Sequence, residues 1–167
     1  LKPTILAGSR GVIRADDPAA FVAAFRRIAA ILRAPETSSL GDAATEVLVE
    51  DFIPGREVAL EGLLVGGELH VLALFDKPDP LDGPYFEETI YVTPSRLTGA
   101  DQAAIAAATE KAAMAIGLRE GPVHAEARLN ERGPWMIEVA ARSIGGLCSD
   151  PRAFPSDVPL ETLILPP

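Results

Sequence analysis

The stretch Val123-His124-Ala125-Glu126-Ala127-Arg128-Leu129, Asn130-Glu131-Arg132-Gly133, Pro134-Trp135-Met136-Ile137-Glu138-Val139 reads as two strands around a turn. Successive side chains of a strand point to opposite faces. Val123, Ala125, Ala127 and Leu129 therefore share one face, and His124, Glu126 and Arg128 the other. On the return strand Trp135, Ile137 and Val139 share a face, and Met136 and Glu138 the other. Matching apolar to apolar pairs Leu129 with Trp135, Ala127 with Ile137 and Ala125 with Val139. The same register places Glu126 opposite Glu138, with Cβ atoms roughly 4.5–5.5 Å apart. A slip by one residue would send polar side chains into the core.

Like charges directly opposite one another destabilise a sheet. A hard divalent cation bridged by the two acids is the simplest offset. The alternative is a solvated face, with each Glu screened or paired to Arg128. Arg142 and Gly145-Gly146, which follow at once, weigh toward a site, because an Arg beside a Gly-rich loop suits a bound anion.

Outward from this hairpin, Val47 to Ile53 reads as a strand stopped by Pro54-Gly55. Arg56 to about Asp76 reads as a second hairpin turning at Gly66-Gly67. A two-residue loop there pairs Leu64 with Leu69 and Val58 with Phe75, giving a core face of Val58, Leu60, Leu64, Leu69, Val71, Ala73 and Phe75. The other face mixes Glu57, Glu61, His70 and Asp76 with Leu63, Val65, Leu72 and Leu74. Residues 1–14 read as strand, loop, strand, the loop being Ala7-Gly8-Ser9-Arg10-Gly11. Asp17-Pro18 caps a helix over 18–33, with Phe21, Phe25, Ile28 and Leu32 as its apolar stripe. Residues 35–39 read as a loop and 86–92 as a strand. Thr98 opens a helix over 100–116 with Ile105, Ala108, Ala112 and Ile116 on one stripe, and Gly117 ends it. The fold class is α+β, largely antiparallel.

The chain has 167 residues, 48% of them apolar and 23% charged, with a net charge of −9. That composition suits one ordinary core or two small subdomains and argues against disorder. The acidic balance argues against nucleic acid, which needs clustered cations. A small polyanion needs only a few placed cations or a metal. Cys148 is the one cysteine; it excludes an internal disulfide, suits a reducing, cytoplasmic setting, and reads as a packed apolar residue. No run reaches the roughly 18–20 apolar residues of a membrane span. The openings Leu1-Lys2-Pro3 and Ile164-Leu165-Pro166-Pro167 read as the cut ends of a longer protein.

The ordered motifs resemble the ATP-grasp superfamily of carboxylate–amine ligases. Glu126 followed by Glu138-Val139-Ala140-Ala141-Arg142 looks like its metal motif. Lys2-Pro3 with Gly8-Ser9-Arg10-Gly11-Val12 looks like its phosphate-binding lysine and Gly-rich loop. Val49-Glu50-Asp51-Phe52-Ile53 looks like the adenine segment, and Gly55-Arg56-Glu57 like the ribose position. Glu-Val-Ala-Ala-Arg followed by Gly-Gly, with Phe75-Asp76-Lys77 and Phe86-Glu87-Glu88-Thr89, is most similar to the L-amino-acid ligase (dipeptide synthetase) branch.

The resemblance implies a nucleotide cleft between two subdomains: a lid over residues 1–55 carrying the Gly-rich loop, and a C-terminal part over 56–167 carrying the metal, with an upstream domain outside this chain. It implies that Lys2 and residues Gly8, Ser9, Arg10 and Gly11 hold phosphates, that Glu50 with backbone groups of Asp51 and Ile53 reads adenine, and that Glu57 holds ribose. It further implies that Glu126 and Glu138 bind Mg²⁺, with Mn²⁺ as the substitute, that Arg142 stabilises the transferring phosphoryl group, and that Gly145 and Gly146 line the substrate. Ala140 departs from the family's Asn and removes one ligand oxygen; a water can replace it.

The implied partners are ATP, a small carboxylate and an amine, without nucleic acid or membrane, in a chain for which a homodimer is allowed. The implied reaction forms an acyl phosphate and then an amide. Alternatives are a carboxylase of the biotin carboxylase type, a nucleotide-binding module without turnover, and a purely structural domain. Lys77 and Glu88 read as surface residues, and His124 as structural.

Overall fold

A computed structural model of the chain describes residues 1–39, 41–145, 148, 162 and 164. It divides into two compact units, Leu1–Phe52 with Leu81–Glu88, and Ile53–Pro80 with Thr89–Pro167.

The first unit contains β1 (Lys2–Pro3), α1 (Pro18–Arg33), α2 (Pro35–Ser38), a 3-10 turn (Asp42–Thr45) and β2 (Val47–Leu48). Helix α1 begins where the sequence places it: Asp17 Oδ1 accepts the Ala20 N–H at 2.8 Å, and Pro18 is the first helical residue. Its buried stripe is Ala24, Ile28 and Leu32, packed with Ile13. Phe21 and Phe25, expected in that stripe, are 38% and 47% exposed. The small Ala24 takes the inward position and the two rings lie at its margins.

Residues 35–38, expected as loop, form one helical turn. Pro35 fixes the helical φ at its start, and the Thr37 hydroxyl bonds the Ala34 carbonyl at 3.1 Å. The strands expected over 1–14 and 47–53 shrink to the pairs Lys2↔Leu48 and Pro3↔Val47 and a single bridge, Ile13↔Tyr85. Pro3 has no N–H to extend the ladder.

The second unit is built on β3 (Arg56–Val65), β4 (Glu68–Asp76), β5 (Gly121–Asn130) and β6 (Gly133–Ala140), with α3 (Gly99–Ala115). The four strands form one antiparallel sheet in the order β4-β3-β5-β6. The turn between β3 and β4 is Gly66-Gly67, at φ 60° and 89°. Positive φ at both central residues is what a twist-matched two-residue turn requires. Leu64 faces Leu69 as expected, but a bulge follows: Glu61 faces Ala73 and Gly62 faces Val71. Leu72 is the extra residue, and beyond it the two faces of β4 exchange.

The expected face of Val58, Leu60, Ala73 and Phe75 is therefore corrected. Val58 and Leu60 pack with Leu74, Leu97, Ile105 and Ala127, while Ala73 and Phe75 lie with Ala59 and Ile144. The expected Val58–Phe75 pair becomes Val58↔Asp76 and Ala59↔Phe75.

Helix α3 is capped by Thr98, whose hydroxyl accepts the Asp101 N–H at 3.2 Å. It buries the expected Ile105, with Thr109 and Ala113 in place of the expected Ala108, Ala112 and Ile116; the contact line lies one residue further round the helix. These residues cover the face formed by Leu60, Leu64, Val123, Ala125 and Ala127. No helix among the described residues is long and apolar enough to cross a membrane.

Among the described residues, 86–92 form no ladder and only Val92 bridges, to Asp76. Asp76, buried, accepts from Ser95 Oγ at 2.6 Å and the Arg96 N–H at 2.9 Å. This draws the chain after β4 against its end without adding a strand.

Candidate metal and anion site

The face of the sheet opposite α3 carries the charged residues of β3 and β5. Antiparallel pairing sets Glu57 against Arg128, Ala59 against Glu126, and Glu61 against His124. On the other side of β5, Glu126 stands opposite Glu138, as the sequence reading places it, and Ala125 opposite Val139. Between Glu126 and Ala127 the ladder is bulged, so Ala127 faces Met136, Arg128 faces Trp135 and Leu129 faces Pro134. The expected pairs Leu129–Trp135 and Ala127–Ile137 are thus corrected. The hairpin makes a tight turn at Glu131-Arg132 and absorbs the spare residue at Ile137. Met136 then packs among the α3-side core residues, away from the face of Glu138.

Glu126 is half-buried and has two basic side chains against it. Lys77 Nζ lies 2.9 Å from its Oε1 and 3.0 Å from Glu57 Oε1. His124 Nε2 is 3.4 Å from the same oxygen of Glu126. Glu57 in turn receives Arg128 Nε at 2.8 Å, and Arg128 Nη1 donates to the Ile53 carbonyl at 2.8 Å. The side chains of Lys77, Glu57 and Arg128 are 3%, 9% and 4% exposed. Buried charges persist only when paired in this way.

Burial lowers the pKa of His124, but hydrogen bonds to Glu126 and Glu61 and the charges of both outweigh it and raise the value from 6.5 to about 9. Burial pushes Glu126 up; the hydrogen bond from His124 and the charge of Lys77 prevail and bring it from 4.5 to about 2. Both groups are therefore held in their charged forms at neutral pH.

Glu138 and Arg142 are the open side of this face. Their side chains are each 50% exposed, with Arg142 Nη2 3.6 Å from Glu138 Oε1. A pair that exposed is weak and readily exchanged for another partner. Two opposed carboxylates, one anchored and one open to solvent, offer a hard oxygen donor set that fits a divalent cation. An unburied guanidinium beside them fits phosphate. Gly145 leaves open space where a side chain would stand. Gly146, the other residue expected to line the substrate, lies outside the described residues.

The remaining expected contacts fall in the first unit, except Ile53 in the second, whose carbonyl accepts from Arg128. Lys2 Nζ is 2.9 Å from Glu50 Oε2, so the lysine expected on phosphate and the acid expected on adenine neutralise each other here. Asp51 is exposed. In the Gly-rich loop Gly8, Ser9 and Gly11 have φ of 64°, 56° and 81°; Ser9 is the one non-glycine with positive φ among the described residues. The Val12 N–H closes the loop on the Ser9 carbonyl at 3.0 Å. Gly8, Ser9 and Gly11, with Arg27 and Tyr85, line a pocket of about 250 Å³. Arg10 belongs to the same turn, its N–H facing the Ala7 carbonyl at 3.4 Å.

Lys77 is the residue that sequence reading missed. The Pro-rich segment after it reads as surface loop, and regular alternation along β4 puts residue 77 on the Phe75 face, which was expected to be core. The bulge at Leu72 turns that face toward Glu57 and Glu126. A lone Lys directly after the run Val71-Leu72-Ala73-Leu74-Phe75-Asp76, beside a hairpin bearing several acids, was the available signal.

Three comparisons with known proteins bear on this arrangement. Residues 1–151 match the ATP-grasp domain family. Dapdiamide A synthase of Enterobacter agglomerans is 32% identical over 147 residues, covering 87% of this chain and 33% of that protein. Alanine–anticapsin ligase of Bacillus subtilis (strain 168) is 30% identical over 158 residues, with the same 87% and 33% coverage. The crystal structure of L-amino acid ligase from Bacillus licheniformis superposes with a TM-score of 0.71 at 35% identity, covering 81% of this chain and 33% of that one. The chain thus spans about a third of the length of the curated relatives it matches.

Proposed function

Since the chain belongs to the ATP-grasp family, we propose that it forms the nucleotide- and metal-holding part of an ATP-dependent carboxylate–amine ligase. The observation that carries this reading is the register of β5 and β6, which sets Glu126 opposite Glu138 with Arg142 3.6 Å from the latter. The ligase names of the relatives and the L-amino acid ligase likeness support the choice of reaction class.

In this reading a substrate carboxylate oxygen attacks the γ-phosphorus of ATP, the bond to the bridging oxygen breaks, and ADP leaves. An amine then attacks the acyl phosphate carbon, expels phosphate and loses a proton. The product is an amide, with an amino acid as the proposed carboxylate. Glu126 and Glu138 would hold Mg²⁺, or Mn²⁺ in its place; the ion supplies charge neutralisation for the phosphates. Arg142 orients and stabilises the transferring phosphoryl group as a planar fork. Lys77, fixed between Glu57 and Glu126, holds these acids in place. Catalysis is positioning and charge stabilisation, with no nucleophile from the chain.

The other roles proposed are Lys2 with Gly8, Ser9, Arg10 and Gly11 for phosphates, Glu50, Asp51 and Ile53 for adenine, Glu57 for ribose, and Gly145 and Gly146 for substrate. Release of Lys2 from Glu50 frees both for that task. Residues 1–55 act as the lid and 56–167 as the metal-bearing part. A cytoplasmic setting, supplied with ATP, suits this chemistry.

The test is ADP release by the full-length protein across pairs of amino acids, with bicarbonate as a control. Amide formation with ADP is the expected result; ADP release with bicarbonate alone, or Mg²⁺–ATP binding without turnover, would overturn the ligase reading. In the same assay Glu138→Ala is expected to lower turnover by at least about a hundredfold, the scale of losing transition-state charge stabilisation, while the protein stays folded. Turnover like wild type would remove Glu138 from the metal site.

A further inference from the structure

Beneath the candidate metal site lies a pair that the proposed reaction does not use. Glu61 is 1% exposed and His124 4%. They face each other across β3 and β5, and Glu61 Oε1 contacts His124 Nδ1. Two ionisable side chains so deep in a sheet are costly, and apolar residues of the same volume often serve stability as well or better. Stability alone therefore gives a weak account of their presence, and their further contacts are more informative.

Glu61 uses its second oxygen to accept the Ile144 N–H at 2.9 Å. His124 extends its other nitrogen to within 3.4 Å of Glu126 Oε1. One continuous line of polar contacts thus runs from the Ile144 backbone through Glu61 and His124 to Glu126. Its first end is two residues beyond Arg142, where the Ile144 side chain is locked among Ala59, Ala73 and Phe75. Its other end is one of the two opposed acids. Each atom in the line has a distinct part: a carboxylate with two acceptor oxygens, and an imidazole with a nitrogen on each side. No aliphatic residue, and no single hydroxyl, could join these two ends.

We propose that Glu61 and His124 are a positioning pair that fixes the Glu126 carboxylate relative to the Arg142 loop. It sets the separation between the metal-holding oxygen and the phosphate-facing guanidinium, a distance that must be held within about 0.5 Å for such a site to work. This rests on the reading of Glu126 and Glu138 as the metal pair. Neither Glu61 nor His124 touches substrate in it. Partners that orient a metal-binding side chain govern affinity for the ion, typically by 10–100-fold.

The experiment is a Mn²⁺ titration of the full-length protein in the presence of ADP, with free Mn²⁺ read by its electron paramagnetic resonance signal and folding followed by circular dichroism. Wild type, Glu138→Ala, His124→Phe, His124→Asn, Glu61→Leu and Glu61→Gln are compared. His124→Phe and Glu61→Leu are expected to weaken Mn²⁺ binding by roughly tenfold to a hundredfold in the folded protein. Glu61→Gln is expected to stay within about threefold, since its amide oxygen still accepts from Ile144 and its NH₂ still meets Nδ1, leaving Nε2–H for Glu126.

Folded His124→Phe or His124→Asn binding Mn²⁺ like wild type would overturn the proposal. So would failure of both His124 variants to fold, which would make the pair structural. A lowered melting temperature with unchanged Mn²⁺ affinity would have the same meaning. Glu138→Ala separates the two layers: if it leaves Mn²⁺ binding intact, the metal reading itself fails, whereas loss of binding in Glu138→Ala alone defeats only the positioning pair.

Discussion

Lys77 shows what a single residue contributes to this face. Its ammonium sits 3.0 Å from Glu57 and 2.9 Å from Glu126, with Arg128 on the far side of Glu57. Lys77→Met would leave two largely buried carboxylates short of a cation. Removing one partner of a buried pair costs about 3–5 kcal/mol, so the melting temperature is expected to fall steeply; a change of only a degree or two would mean that water already screens these acids.

His124 and Glu126 give the pH dependence of the metal-free protein. A raised pKa stabilises fully below its unfolded value and is lost as pH rises through the folded one. His124 therefore contributes in full below pH 6.5 and ceases to contribute above about 9. Glu126, with its pKa lowered, contributes in full above 4.5 and loses that contribution as pH falls toward about 2. Melting temperature is expected to be highest between pH 4.5 and 6.5, where both contributions are complete, and to decline from pH 6.5 to 9. A profile flat across that upper interval would rule out a charged His124 in the fold.

At the scale of elements, the β5–β6 hairpin was legible because its alternation is strict on β5 and because only one register keeps Ala125 and Val139 together. Helix α1 was legible from Asp17-Pro18, whose geometry is local. The two bulges were not. Each depends on where a twisted ladder sheds its spare residue, at Leu72 and at Ile137, and a bulge exchanges faces for everything beyond it. That exchange explains why alternation groups Phe75 with Val58 and Leu60, and why Lys77 reads as a surface residue. The strands expected over 47–53 and 86–92 had the right side chains, but among the described residues only Val47–Leu48 pairs, with β1, and only Val92 bridges, to Asp76, which periodicity cannot reveal.

One element junction is tightly specified. Gly55 has φ of 137°, and a Cβ there would stand 2.5 Å from the Leu129 carbonyl oxygen. Asn130 Nδ2 bonds the Pro54 carbonyl at 2.8 Å beside it. Gly55→Ala combines backbone strain with a clash against backbone, each of order 1–3 kcal/mol. A loss of at least about 2 kcal/mol in urea unfolding is expected on that scale. No loss would show that the β3 start and β5 end separate without cost.

Across the whole molecule, the two units differ in how much core each owns. The first relies on Ile13, Ala24, Ile28 and Leu32. The second has clusters on both faces of a four-stranded sheet. Local opening free energy follows buried apolar contact. Hydrogen exchange is therefore expected to be faster for the amides of α1 than for those of β3 and β5, and Ile28→Ala is expected to widen that difference. Uniform protection would mean that the chain opens as one cooperative body. The family's fold was readable at this scale from the order of motifs, whereas residues 81–88, which group with the first unit, gave no such sign because their allegiance is made by contacts distant in sequence.

The bulge at Ile137 also imposes an arithmetic of odd and even. In a hairpin closed by a two-residue turn, residues directly opposite must differ by an odd number. Asn130 and Gly133, and Arg128 and Trp135, obey this. Glu126 and Glu138 differ by an even number and still face each other, which only an unpaired residue between them allows. Shortening the hairpin by Ile137 would leave the acids opposed on a regular ladder. Shortening the turn itself by one residue would change the parity and carry Glu138 to the α3 side. The spacing between the acids is thus free to vary by one, provided the change falls at the bulge.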